Sequence, residues 1–148
     1  MAPTAPQWTT PQDPWIHVLP SDIDLCAEPS ADGGLIKMLD ARRMETVAGL
    51  FDEFQRALGF PDYFGHNWDA LDECVCDLEW LPAPSYRIVI ESAPRLLDRD
   101  RAERPIFLSV MSNAGKEWAA GRRVGSEWPG RSIPFNTVLL GAPIDWCP

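Results

Sequence analysis

No stretch of this sequence approaches the ~20 consecutive apolar residues that a membrane-spanning helix requires, so no membrane partner is expected. Met1 to Pro14 holds no Lys or Arg and no apolar centre, which is not the pattern of a secretory signal. The four cysteines, Cys26, Cys74, Cys76 and Cys147, lack the paired Cys-x2-Cys hooks of a structural zinc site. Free, partly buried thiols in a reducing compartment fit this usage. Together these absences predict a cytoplasmic protein with no metal and no cofactor. Basic charge is scarce as well. Thirteen Lys and Arg against 22 Asp and Glu leave a net charge of −9. That balance argues against nucleic acid as a direct partner, because phosphate binding needs clustered cations. An acidic surface attracts cationic partners and speeds their encounter, although charge of this size also serves plain solubility.

A chain of 148 residues that is 45% hydrophobic suits one domain with a real core. Residues 1–14, rich in Pro, Thr and Gln, read as a flexible arm, and residues 15–148 as a single domain. Trp15–Leu19 and Leu35–Leu39 are short strand candidates separated by a loop with Pro29, Gly33 and Gly34. Val47, Leu50, Phe51, Phe54 and Leu58 recur at helical spacing, with Asp52, Glu53 and Arg56 on the opposite side. Gly59 followed by Phe60-Pro61 stops that helix. Asn67 is placed to cap a second helix running to about Leu78, with Trp68, Leu71, Val75 and Leu78 along its apolar stripe. Tyr86–Ile90 and Phe135–Leu140 are further strands. Between them lie a charged connection from Arg95 to Arg104 and a weaker helical period through Ile106, Val110 and Ala114. Gly121–Ser132 reads as a loop. Strands alternating with helices imply βαβ units and a parallel sheet.

One absence is local. From Ala57 to Tyr86 there is no Lys or Arg, while Asp62, Asp69, Asp72, Glu73, Asp77 and Glu79 all fall inside that window. Asp69, Glu73 and Asp77 follow i, i+4, i+8 spacing and line one face of the second helix. Like charges at that spacing destabilise a helix by roughly 0.2–0.5 kcal/mol per pair. A helix that carries the repulsion without interspersed cations suggests relief from a partner. Asp69 and Asp72 could also simply complement the helix N-terminus, but Glu73 and Asp77 lie beyond it. Three readings compete. The acids could form a catalytic acid/base pair or, with His66, hold a metal. They could be a merely solvated face. They could be a docking surface for a cationic protein. An outward helix face offers no pocket to set two carboxylates apart, and a hard cation favours a loop rich in Asp, Asn and Gly.

The string Phe60-Pro61-Asp62-Tyr63-Phe64-Gly65-His66-Asn67-Trp68-Asp69-Ala70-Leu71-Asp72-Glu73-Cys74 resembles the signature segment of the barstar family of ribonuclease inhibitors. The similarity runs without gaps from about Lys37 to Cys76; beyond it, only the order of elements matches. The resemblance implies an α/β fold with a three-stranded parallel sheet packed with helices, here with an N-terminal extension and room for an extra strand. It implies a protein that is not an enzyme. The chain would block a small, basic, secreted, guanyl-preferring microbial ribonuclease in a 1:1 complex, with an immunity protein against a different nuclease toxin as the alternative. By position, Tyr63 would pack on the enzyme's catalytic or base-binding region, and Asn67 and Asp69 would meet its basic groups around the phosphate site. Glu73 would stand in for a substrate phosphate. His66, Asp72, Cys76, Asp77, Asn113 and Glu117 complete the expected partner-binding set.

Three positions depart from that resemblance. Glu73 is one methylene longer than the family's usual Asp. Asp72 replaces a Trp. Asn113 falls where the family places another acid on the later helix, with Glu117 four residues on. The remaining aromatic residues, Trp80 at the interface edge aside, read as core or loop anchors, and His17 as a strand residue.

Overall fold

The computed structural model describes residues 11, 14–22, 34–121 and 132–146. Strands β1 (Ile16–Leu19), β2 (Leu35–Asp40), β3 (Tyr86–Glu91) and β4 (Phe135–Leu140) combine with helices α1 (Val47–Leu58), α2 (Trp68–Asp77) and α3 (Arg104–Ala120) in the order β1-β2-α1-α2-β3-α3-β4. The strands form one sheet of order β1-β4-β3-β2, parallel at every pairing. The resemblance implied three strands with room for an extra one; among the described residues the sheet has four, at the four strand candidates. Ile16–Leu19 pairs in register with Thr137–Leu140, and it satisfies backbone groups that would otherwise leave β4 as an open edge. The arm of residues 1–14 and the Gly121–Ser132 loop lie almost wholly outside the described residues.

Strand alternation sorts the sheet into two faces. Ile16, Leu39, Tyr86, Ile88, Ile90, Phe135 and Leu139 join the main core with the helices. Val89, Val138 and Leu140 form a second apolar cluster, with Leu19, Ile36 and Met38 packed against it. Polar residues also lie inside: His17 Nε2 and Asn136 Oδ1 are 3.0 Å apart and buried. Burial lowers the His17 pKa, opposed by its hydrogen bond to Asn136.

α1 begins and ends as its residues dictate. The Thr46 hydroxyl accepts from the Gly49 N–H at 3.1 Å, and the Val47 N–H donates to Asp100 Oδ2 at 2.8 Å. Gly59 takes up the left-handed C-cap at φ 65, which lets the Phe60 N–H return to the Gln55 carbonyl. Leu50, Phe51, Phe54 and Leu58 are buried as the spacing predicts. Glu53 is not on the solvent side. It is 3% exposed, and its carboxylate accepts the Asp40 N–H at the end of β2 (2.9 Å) and two Arg56 nitrogens (2.8 and 2.9 Å). The Arg56 guanidinium holds the Glu53 carboxyl below its usual range, aided by the Asp40 N–H and opposed by burial. Thus a charge on α1 fixes the helix to the sheet.

On α3 the expected period holds in part, with Ala114 buried and Val110 packed against the core. Phe107, Met111, Ala114, Gly115 and Trp118 are buried, whereas Ile106 is exposed. Gly115 is required by proximity: a Cβ there would come within 2.7–2.9 Å of the Trp15 side chain.

Two measurements test this packing. The Thr137 hydroxyl is buried in the sheet without a hydrogen-bond partner, and an unsatisfied buried group costs about 1–3 kcal/mol. Thr137→Val should leave stability unchanged or raise it by about 1 kcal/mol in chemical denaturation; a clear loss would mean that the hydroxyl has a partner. Glu53 titrates lower when folded, so its contribution is present above the unfolded glutamate value of roughly 4.3. It is lost as pH falls through the folded value. Glu53→Gln should be less stable at neutral pH, and its stability should fall less than wild type between about pH 5 and 3.

Candidate functional site

α2 is short, and both of its ends are bound tightly. Asn67 caps the N-terminus: its Oδ1 accepts the Ala70 N–H at 2.8 Å, and its Nδ2 donates to the Gly65 carbonyl at 3.2 Å. The residue before it, His66, sits at φ 50, and the C-cap Leu78 sits at φ 47. Left-handed backbone costs a non-glycine residue about 1–2 kcal/mol, so surrounding contacts must hold both positions. At the C-terminal end Leu78 is fully buried. Trp80 Nε1 donates to the Leu58 carbonyl of α1 at 3.0 Å, and Trp118 Nε1 of α3 donates to the Val75 carbonyl of α2 at 2.7 Å. Both indoles satisfy carbonyls that the last helical turn leaves unpaired.

The inner side of α2 presents Leu71, Cys74 and Val75 to the core. The Trp68 ring meets Phe51 edge-on at 5.1 Å, and Phe51 meets Phe64 at 6.0 Å. Burial pushes the Cys74 thiol up, with Asp77 and Glu73 adding to the effect, so it stays protonated and weakly reactive.

The outer side carries the acids. Asp69 and Glu73 are exposed, Asp77 is half-buried one turn on, and Asp62 and Glu79 are exposed at the flanks. No cation interrupts them between residues 57 and 86. Tyr63, 73% exposed, stands beside the C-terminal half of this row. Slight desolvation raises its phenol pKa, and the negative field of Asp77, Cys74, Glu79 and Glu73 adds to this. It is therefore a protonated donor at neutral pH.

The expected site residues fall into three groups. Tyr63, Asp69, Glu73 and Asp77 share the acidic side. Asp72, Cys76 and Asn113 meet at the seam between α2 and α3: Asn113 Nδ2 donates to Asp72 Oδ1 at 3.1 Å, and Cys76 Sγ lies 3.8 Å from the same oxygen. Glu117 lies on α3 one turn beyond Asn113 and is half-buried. Asn67 and His66 serve the helix entrance, where His66 Nε2 is 3.4 Å from Asp52 Oδ1 and its Nδ1 is 3.1 Å from the Phe64 carbonyl. The sequence reading did not single out Asp52 or Trp118 for these roles. Trp118 had a signal, the 107, 111, 114, 118 spacing that buries α3. Asp52 had none, because its partner approaches from a loop.

Chemically, this face presents exposed carboxylates, which attract cationic groups. Among the described residues no group of three His, Cys, Asp or Glu side chains could hold a metal. No helix among them is long and apolar enough to cross a membrane.

Comparison with known proteins places the chain in a family. The family model described as "Barstar (barnase inhibitor)" matches residues 35–128, more than half of the chain. A protein of Bacillus subtilis (strain 168) named "Putative ribonuclease inhibitor YrdF" is 38% identical over 47 residues, 32% of this chain. The match spans 50% of that relative's length.

Glu73 is the middle acid of the row, so neutralising it relieves two like-charge pairs. Glu73→Gln should raise the thermal stability of the isolated protein by a few tenths of a kcal/mol. A destabilised Glu73→Gln protein would show that the carboxylate supports the fold.

Proposed function

This chain belongs to the barstar family, and from that premise we propose that it inhibits a small, basic, secreted ribonuclease of the guanyl-preferring microbial type. It acts as a 1:1 plug rather than as an enzyme, in the cytoplasm of the cell that makes the ribonuclease. The observation that carries the reading is the uninterrupted acidic side of α2, held rigidly from behind. Ribonuclease active sites bind phosphate with Arg, Lys and His, and a carboxylate offers a guanidinium the same bidentate acceptor pair. Glu73, central and exposed, takes the place of the phosphate; Asp69 and Asp77 flank it. Tyr63 contributes an exposed aromatic ring and a donor hydroxyl next to the acids, which suits the base-binding part of such a site. Catalysis by these acids is disfavoured, because an exposed helix face has no closed cleft to separate an acid from a base.

Rigid backbone matters as much as charge. Interface side chains that are already ordered lose less freedom on binding. The capped ends of α2 and the indole bonds behind it do that ordering before the partner arrives.

Equimolar protein should titrate barnase, the ribonuclease named in the family description, to near-zero activity, and EDTA should not relieve the inhibition. Association should slow steeply with salt, since screening acts over about 8 Å at physiological ionic strength, while dissociation changes little. Glu73→Ala should weaken binding by roughly 2–5 kcal/mol, a range borrowed in part from the barnase–barstar pair itself. Asp69→Ala should cost less, and the peripheral Glu79→Ala under about 1 kcal/mol. Against barnase, which the family meets with an Asp here, Glu73→Asp should bind as well or better, whereas a ribonuclease shaped around the longer acid should lose affinity for it. Full ribonuclease activity at a large excess of this protein, for barnase and other small basic ribonucleases, would refute the inhibitor reading.

A further inference from the structure

α2 and α3 are tied beneath the surface by the Trp118–Val75 bond. At the surface the same seam carries a second tie, and it falls on an acid. Asn113 donates its amide nitrogen to Asp72 Oδ1, and the Cys76 thiol lies within reach of that oxygen. A carboxylate can only accept, so the carboxamide must turn its nitrogen toward Asp72, which leaves its own oxygen as an acceptor. Neither Asn113 Oδ1 nor Asp72 Oδ2 meets a donor from the described chain. Asp72 is half-buried while Asn113 is exposed, so the pair reaches the surface at the α2–α3 seam, with one of its three side-chain oxygens engaged by the Asn113 amide.

Resting on the inhibitor reading, we propose that Asn113 is a positioning residue. It fixes the Asp72 carboxylate so that Asp72 Oδ2 and Asn113 Oδ1 form a two-acceptor notch for one arginine guanidinium of the partner ribonuclease. A guanidinium carries its donors in a planar fork that matches paired acceptors, whereas an ammonium is a compact point charge. The neutral amide is the right neighbour for this purpose. It supplies the donor that orders Asp72, and it adds no second negative charge to repel it. A carboxylate at position 113 would increase the acidity of the face but abolish the tie.

That contrast gives the test its sign. Affinity and rate constants for barnase are measured for wild type, Asn113→Asp, and the double variant Asp72→Asn with Asn113→Asp, at low and moderate salt, beside thermal midpoints. If the acids act only through their long-range field, Asn113→Asp binds more tightly, because it adds a negative charge facing a basic enzyme. If Asn113 positions Asp72, the same variant binds about tenfold more weakly, mainly through faster dissociation. The double variant restores the donor–acceptor pair with its roles exchanged at wild-type net charge, and it should return to within about threefold of wild type. Equal or tighter binding by Asn113→Asp, or no recovery in the double variant, overturns the proposal while leaving inhibition by wild type intact. A thermal midpoint that falls in step with affinity across the variants also overturns it, by assigning the effect to the fold. Failure of wild type to inhibit barnase overturns the inhibitor reading for this probe, and the notch with it.

Discussion

The hydrogen bond from the Trp118 indole to the Val75 carbonyl is the interaction on which the display of α2 depends. A helix of 10 residues is marginal alone, and this one works against itself. Its acids repel along one side, and its last turn has no basic residue to complement the negative helix end. The Asn67 cap and contacts from the neighbouring helices keep it in place. Trp118 is itself located by the sheet, stacked on Phe135 with an interplanar angle of 2° and packed against Tyr86 at 4.9 Å between centroids. Position therefore passes from β3 and β4 through one indole to the helix. The helix can carry unfavourable charge on its outer side only because its backbone is secured elsewhere.

The same division explains how acids of one type come to do different work. Glu53 lies under Arg56 and the end of β2 and fixes α1. Asp72 is engaged from α3 by Asn113. Asp69 and Glu73 stand in solvent. Proximity to a donor separates the structural carboxylates from those free to meet another molecule, and nothing in their residue type does so.

Much of this was legible in the residues. The caps at Asn67 and Gly59 are short-range signals, and α2 starts and α1 stops where those signals lie. The strands were legible because β-formers bounded by Pro and Gly have few other solutions. What escaped depends on partners distant in sequence. The periodicity of α1 places Glu53 beside solvent, yet the Asp40 N–H at the end of β2 recruits it inward. On α3 apolar residues occur around most of the circumference, so two stripes fit the pattern. Only packing against Tyr86 and Phe135 selects the one through Trp118. The acidic row was visible as a gap in basic residues, but the Asp72–Asn113 tie joins residues 41 apart and no local pattern announces it.

The aromatic contacts around α1 and α2 also bear on the order in which the chain can organise itself. Phe51–Phe64, Phe51–Trp68, Phe54–Phe60 and Phe60–Trp80 all join residues within the span 51–80. Every strand pairing is parallel and must close a much longer loop before it gains anything. Contacts of low sequence separation cost the least chain entropy to form first. The hairpin of α1 and α2 is thus the natural starting point, and the sheet is added to it. The most negatively charged part of the molecule would then take shape early, while the apolar strands are still exposed. Its mutual repulsion would tend to keep nascent chains apart until those strands have paired.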